Sequence, residues 1–131
     1  MAEMRREMSN KLKSLRFREM VALYLRGEGH DGAKMKPDRA GRISIALRED
    51  DHVGDIWGLS GDWLVNTRNE VTRDLSTALD EAQKDARTDE KKHAAVVWYR
   101  PARSAGDSYV LMTLQDFSEA IAKNGRPCHS K

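Results

Sequence analysis

Apolar residues recur at helical spacing in three separate parts of the chain. The first stripe runs from Phe17 to Tyr24 and ends before Gly27, a residue type that often terminates helices. The second predicts a helix over about residues 74–86, and the third begins at Thr113 with a capping-box pattern. The residues expected to face the core are Phe17, Met20, Val21, Leu23 and Tyr24, then Leu75, Leu79, Ala82 and Ala86, and finally Phe117 and Ile121.

Shorter apolar runs predict five strands. Three of them, at residues 42–47, 53–59 and 63–67, lie between the first two helices and are close enough in sequence for a meander. The run at 94–99 is continuously apolar, which is typical of a strand buried on both faces. The last strand is expected at 109–113.

The resulting order is α-β-β-β-α-β-β-α. Residues 27–41 contain four glycines and one proline and indicate a loop. The helix between the third and fourth strands supplies the length that a parallel crossover requires. The sequence therefore predicts an α/β fold with a mixed sheet, in a single domain over residues 1–131. Residues 1–14 are expected to form a basic helical extension and residues 126–131 a flexible tail.

Composition narrows the class of protein. With 131 residues, 39% hydrophobic and 34% charged, the chain indicates one polar globular domain with a small core. No apolar run exceeds six residues, about a third of what a bilayer crossing needs, so we expect no membrane span. The single cysteine, Cys128, excludes an internal disulfide and a cysteine-rich zinc site. The N-terminal segment lacks the apolar core of a secretory signal, and we expect a cytoplasmic protein.

Charge is distributed unevenly along the chain. Residues 1–48 hold 12 Lys and Arg against 6 Asp and Glu, whereas residues 49–131 hold 11 against 15. The net charge of +2 therefore conceals a basic first third and an acidic remainder. This asymmetry is compatible with a surface that faces phosphates, and equally with a solvated helix face.

Five short segments carry a resemblance to a known family. They are Tyr24-Leu25-Arg26, Gly54-Asp55-Ile56-Trp57-Gly58-Leu59, Leu79-Asp80-Glu81-Ala82, Val96-Val97-Trp98, and Asp107 to Thr113 followed by Phe117. In this order, over about residues 15–125, the chain resembles the PD-(D/E)XK nuclease superfamily. More narrowly, it is similar to small Holliday-junction-resolvase-like proteins of phages and their actinobacterial hosts. The resemblance implies a restriction-endonuclease-like core and a site for metal-dependent cleavage of DNA.

The site of that family has four chemical positions. Two carboxylates hold Mg²⁺, and a lysine separated from the second carboxylate by one residue orients the attacking water. A glutamate of the first helix often adds a metal contact. The matching residues in this chain are Asp55, Asn66, Arg68 and Arg18. Only Asp55 keeps the chemistry of its position, and it is the one candidate metal ligand among the four.

These replacements change what the site can do. Asn66 stands where the family has a carboxylate, so one negative charge that helps to bind Mg²⁺ is lost. Arg18 stands where the family has a glutamate and adds a fixed positive charge. Arg68 keeps the charge of the family's lysine, but a guanidinium group is not equivalent to an ammonium group. We expect no cofactor, with Mg²⁺ required only if the protein is active. The residues expected to face DNA phosphates are Arg16, Arg18, Lys34, Lys36, Arg39 and Arg68, together with Arg5, Arg6, Lys11 and Lys13.

Three functions remain open at this point. The first is a catalytically degenerate, resolvase-like protein that binds DNA, branched DNA in particular. The second is an active structure-selective endonuclease that combines Asp55 with relocated groups, for which the candidates are Glu49, Asp50, Asp51, Glu70, Glu81 and Lys84. The third is a phage-encoded module that binds or inhibits a host protein and uses the fold as a scaffold. The basic first third favours DNA, and the resemblance also implies a homodimer.

Overall fold

The computed structural model describes residues 2–36, 53–69 and 74–125. Within these ranges the chain forms three α-helices and five strands in one mixed sheet, so the predicted α/β class is confirmed. The strand predicted at 42–47 and the tail at 126–131 lie outside the described residues.

The elements follow one another along a single sheet. They are α1 (Ala2–Gly27), β1 (Lys34–Met35), β2 (Ile56–Trp57), β3 (Trp63–Arg68), α2 (Leu75–Thr88), β4 (His93–Trp98), a 3₁₀ turn (Ala105–Asp107), β5 (Tyr109–Leu111) and α3 (Leu114–Gly125). The strands lie in the order β1-β2-β3-β4-β5. Strands β3 and β4 are parallel and the other neighbours antiparallel, so α2 is the crossover between the parallel pair.

Side chains cap the starts of α2 and α3. Asp74 accepts a hydrogen bond from the backbone N–H of Thr77 at 3.2 Å, and the Thr113 hydroxyl accepts one from the N–H of Asp116 at 3.1 Å. Each cap satisfies a backbone donor that the first turn of a helix leaves without an intrahelical partner. These caps are the reason that the predicted starts of both helices agree with the structure to within a residue or two.

The core lies on both faces of the sheet, because consecutive residues of β3 point to opposite sides. Val65 packs in a cluster with Phe17 and Val21 of α1. Leu64 packs in a second cluster with Ala82 and Ala86 of α2. Helix α1 therefore covers one face of the central strand and α2 covers the other, which gives a three-layer arrangement.

Helix α1 is one continuous helix of 26 residues, so the described part of the helical extension expected over residues 1–14 belongs to the same element as the stripe from Phe17 to Tyr24. No helix among the described residues is both long and apolar enough to cross a membrane.

Helical spacing identified the helices but not every buried position. Several of the residues expected in the core are 39–54% exposed, namely Met20, Leu23, Tyr24 and Leu75. Ala22 and Ala78 are buried instead. Small side chains at the contact allow the helix axis to approach the sheet closely, and this rotates the larger apolar residues towards the edge of the contact.

The apolar side of α3 is also exposed, contrary to the sequence prediction. Phe117 is 49% and Ile121 53% exposed, whereas the acidic residue Asp116 is 8% exposed. The helix is attached through the polar contacts of that residue with the start of β4.

Residues 27–41, predicted to be a loop, contain the short strand β1. Its two residues pair antiparallel with β2, and a strand this short has no hydrophobic pattern that sequence analysis can detect. Two glycines allow this pairing. A Cβ atom on Gly58 would overlap the backbone oxygen of Gly32, and Gly58 has a φ of +80°.

Gly58 and Gly61 offer a matched test of this close approach. Both have φ near +80°, but a Cβ at Gly61 meets only the Trp63 side chain, at 3.3 Å. We expect Gly61→Ala to lower the free energy of unfolding by about 1–2 kcal/mol from backbone strain alone. Gly58→Ala should cost at least about 2 kcal/mol more, because the β1–β2 edge must separate. Urea denaturation measures both values, and equal losses would contradict the packing argument.

Candidate functional site

Four residues from three elements meet at one end of the central strand. Asn66 and Arg68 alternate with Thr67 along β3, so both side chains lie on the α2 face of the sheet. Asp55 immediately precedes β2, the neighbour of β3. Arg18 reaches the same point from α1. The structure therefore brings together all four positions that the sequence matched to a nuclease site.

Asp55 is the centre of this cluster. Its Oδ2 accepts hydrogen bonds from the backbone N–H of Thr67 at 2.8 Å and from the Thr67 hydroxyl at 3.1 Å. Its own backbone N–H lies 3.0 Å from the oxygen of Val65 and 3.2 Å from Oδ1 of Asn66. The carboxylate thus satisfies a backbone donor of β3 and joins β2 to β3 beyond the last pair of the ladder.

Two guanidinium groups flank the same carboxylate. Nη2 of Arg18 lies 3.3 Å from Oδ1 of Asp55, and Nη1 of Arg68 lies 3.8 Å from Oδ2. The side chain of Asp55 is 15% exposed and those of the two arginines are 20% and 23% exposed. The three groups are therefore partly shielded from water, and the attraction between them is stronger than at a fully exposed site.

Arg68 is anchored twice more. Its Nη1 donates to the backbone oxygen of Thr67 at 2.8 Å, and its Nη2 donates to Oε1 of Glu81 on α2 at 3.1 Å. These contacts fix the plane of the guanidinium group. Nε of Arg18, by contrast, is buried and has no hydrogen-bond partner among the described residues.

Asn66 connects the cluster to α2. It is 3% exposed, and its Nδ2 donates to Oδ2 of Asp85 at 3.1 Å while its Oδ1 faces the N–H of Asp55. Both ends of the amide are therefore used in contacts within the protein. A carboxylate at this position could not donate to Asp85, so the surroundings of Asn66 are adapted to an amide.

The arrangement does not fit Mg²⁺, the metal that the family resemblance implies. A magnesium site needs anionic oxygens that are free to coordinate. Both oxygens of Asp55 already face a guanidinium group, and the amide oxygen of Asn66 is directed at a backbone N–H. The cations of Arg18 and Arg68 would repel a dication at this point.

The other basic residues predicted to face phosphates are spread more widely. Lys36 lies beside the cluster: its backbone N–H donates to the backbone oxygen of Asp55 at 2.7 Å, and its Nζ lies 3.5 Å from the backbone oxygen of Val53. Nζ of Lys34 lies 5.9 Å from the ring centre of Trp57. Arg16 is exposed, two positions from Arg18 and therefore on another side of α1. Arg39 lies outside the described residues.

Trp57, the second residue of β2, is only 8% exposed. Its Nε1 donates to the backbone oxygen of Gly54 at 2.9 Å. Because its ring is buried, its role in this structure is packing.

Of the relocated groups proposed from the sequence, Glu81 contacts the cluster through Arg68. Lys84 is exposed on α2, and the remaining ones lie outside the described residues. Sequence reasoning missed Thr67 and Asp85. The alternation along β3 gave no reason to choose Thr67, which contacts Asp55 through its backbone N–H as well as through its hydroxyl. For Asp85, the only signal was its position one helical turn beyond Glu81.

Replacement of Asp55 by asparagine tests whether the carboxylate serves as a structural counter-ion. Asp55→Asn removes the carboxylate beside Arg18 and leaves Arg68 paired with the exposed Glu81, and we expect a loss of about 2–3 kcal/mol in the free energy of unfolding. The exposed Asp80→Asn on α2 is the matched control and should change it by less than about 0.5 kcal/mol. A gain in stability for Asp55→Asn would indicate excess negative charge, as in a metal-ligand cluster.

Comparison of the chain with protein-family models, with curated proteins and with solved structures gives no match.

Proposed function

We propose that this chain is a nuclease-fold, Holliday-junction-resolvase-like protein that binds DNA, branched DNA in particular, without cleaving it. One observation carries the proposal: Arg18 and Arg68 lie 3.3 Å and 3.8 Å from the oxygens of Asp55, the position that matches the first metal ligand of the family. Two fixed cations thus stand where that family holds a metal. The residues of the matched site are retained as a cluster although their metal-binding chemistry is lost.

The arrangement of elements supports the nuclease-like interpretation. Helix α1 covers three antiparallel strands, and α2 crosses over to β4, which is parallel to β3. This is the order of elements expected for a restriction-endonuclease-like core. Asn66 and Arg68 share one face of β3, as the second carboxylate and the lysine do in the family pattern.

The cluster has the chemistry to bind a phosphodiester. A guanidinium group presents N–H donors in a planar fork that matches two phosphate oxygens. Both arginines are about one-fifth exposed, so an approaching anion can reach part of each guanidinium group. An incoming phosphate would compete with Asp55 for these donors and would find them already oriented by the contacts of Arg68.

One face of α1 extends this surface. Lys11 and Ser14 stand seven and four positions before Arg18, so the three residues share one side of the helix. Ser14 donates to Oδ1 of Asn69 at 3.2 Å, which places this side of the helix over the end of β3. The side of α1 that carries Lys11 and Arg18 therefore lies near the cluster, and its positive charges extend the surface that a DNA backbone would meet.

Binding to a labelled four-way junction tests the proposal. We expect Arg18→Gln and Arg68→Gln each to weaken binding by about tenfold, which is about 1.4 kcal/mol. Each should also make the dependence of affinity on salt shallower by about one unit of slope, because one phosphate contact is lost. Fluorescence anisotropy in EDTA at several salt concentrations measures both quantities.

Arg87→Gln is the matched control for this experiment. It removes the same charge from an exposed residue in the last turn of α2, beside the start of β4 and away from the cluster. It should leave affinity and salt slope nearly unchanged. Equal losses of affinity in all three variants would show that only the net charge of the protein matters and not the position of the arginines. Binding that does not respond to salt would contradict the proposal.

The active endonuclease is the second candidate, and one observation favours it. Glu81 and Asp85 of α2 both reach the cluster, so carboxylates other than Asp55 lie nearby. Both are engaged, however, with Arg68 and with Asn66. A catalytic arrangement would have to break these contacts before a metal could bind.

Restoration of the family pattern separates the two candidates. Because Arg18 lies against Asp55, the double change Asn66→Glu and Arg68→Lys must be combined with Arg18→Glu. We expect the triple variant to gain a Tm that rises with Mg²⁺, and nicking of the junction, because three carboxylates then surround one point. The unmodified protein should show neither. Symmetric nicking by the unmodified protein, abolished by Asp55→Ala, would establish the active enzyme instead.

The third candidate is a protein-interaction module, and the exposed apolar surface of α3 and β5 favours it. The residues concerned are Tyr109, Val110, Leu114, Phe117 and Ile121, which are 49–80% exposed. Apolar surface of this kind often marks a protein interface, whether with a host protein or with a second copy of the chain. Absence of junction binding in the experiment above would favour this third candidate over the DNA-binding one.

A further inference from the structure

A second polar centre lies at the other end of the β3–β4 pair from Asp55. His93, the first residue of β4, is 5% exposed, and Asp116 and Glu119 stand one turn apart on α3. Nδ1 of His93 lies 2.8 Å from Oδ1 of Asp116 and 3.2 Å from Oε2 of Glu119. The ligand atoms of the three residues all lie within 4.8 Å of one another. The DNA-binding proposal uses none of these groups.

Contacts outside the cluster hold two of its three side chains in place. Oδ2 of Asp116 accepts the backbone N–H of Ala94 at 3.1 Å, which leaves Oδ1 directed at His93. The imidazole ring packs against Trp63, with ring centres 4.8 Å apart. Such secondary contacts fix the orientation of metal-binding side chains in known sites, and here they exist in the chain itself.

The charges of the three side chains favour a cation at the point where they converge, while Arg87, Lys91 and Lys92 line other parts of the same cavity. Two carboxylates converge on one imidazole nitrogen, and a single proton on Nδ1 cannot make a linear hydrogen bond to both. A dication would neutralise both carboxylates at once. Atoms bound tetrahedrally to Zn²⁺ at about 2.0–2.1 Å lie about 3.3 Å apart, so the separations of 2.8 Å and 3.2 Å around Nδ1 need only a small outward movement of the carboxylates to admit the ion.

We propose that His93, Asp116 and Glu119 bind a first-row transition-metal dication such as Zn²⁺. The imidazole ligand favours such a metal over Mg²⁺, which prefers a shell of oxygen ligands alone. A cavity of about 400 Å³, which these three residues help to line, gives access from solvent and leaves room for a water as a further ligand. The metal would join α3 to β4.

A metal at this position would have a structural role, because the site lies between β4 and α3. Phe117 and Ile121 are about half exposed, so apolar burial contributes little to the attachment of α3. Within the described ranges, the hydrogen bonds of Asp116 with His93 and with the N–H of Ala94 join the helix to β4. A metal held by one ligand from the strand and two from the helix would therefore stabilise the helix directly.

Zinc titration of the metal-stripped, full-length protein tests the site. We expect calorimetry to give one Zn²⁺ per chain, and the Tm to rise with Zn²⁺ concentration by mass action. Glu119→Gln should weaken binding at least tenfold. Because Glu119 is half exposed, this variant should fold and keep nearly the same Tm without metal. Co²⁺ in place of Zn²⁺ adds a visible absorption band that reports ligation by the imidazole.

Three controls identify the ligands. Asp80→Asn, on an exposed acid of α2, and Cys128→Ser should both bind Zn²⁺ like the unmodified protein. Loss of binding in Cys128→Ser would assign the metal to Cys128, and loss in Asp55→Asn would assign it to the other cluster; either result overturns the proposal. So would the absence of binding at tenfold excess metal, or undiminished binding in Glu119→Gln.

Discussion

The carboxylate of Asp55 is the interaction on which the candidate site depends. It satisfies the backbone N–H of Thr67, joins β2 to β3, and neutralises guanidinium groups from the α1 side and the α2 side of the sheet. Removal of its charge would take away the carboxylate beside Arg18 and leave Arg68 paired with the exposed Glu81. The same group therefore supports the sheet edge and holds Arg18 and Arg68 in position.

The pairing of Asp55 with two arginines suits the binding of an anion better than the binding of a catalytic metal. A carboxylate that coordinates a metal must keep its oxygens available, whereas one that pairs with arginines has its charge already neutralised. Asn66 is likewise engaged within the protein, because its amide donates to Asp85, which a carboxylate at this position could not do. Cations fixed in this way offer directed donors to an anionic backbone, but they supply neither a Lewis acid nor an activated water.

The parallel pair β3–β4 carries a polar centre at each end. Arg68 lies opposite Trp98 at one end and Trp63 lies opposite His93 at the other, so the two centres are separated by the length of the strands. The first centre is rich in cations and suits phosphate, whereas the second combines an imidazole with two carboxylates and suits a metal ion. The two proposals can therefore be tested independently, each with variants that leave the other centre intact.

The sequence by itself determined the fold class, the three helices and most of the strands, because these depend on local periodicity and on caps such as Asp74 and Thr113. The family resemblance also selected Asp55, Asn66, Arg68 and Arg18, which the structure brings together. Only the tertiary structure decided which helix faces are buried, that a strand forms near Lys34, and that Thr67 and Asp85 belong to the cluster. The convergence of His93 with Asp116 and Glu119 was likewise invisible, because it joins residues more than twenty positions apart. Periodicity records the local geometry of the backbone, whereas such contacts depend on how strands and helices are placed in space.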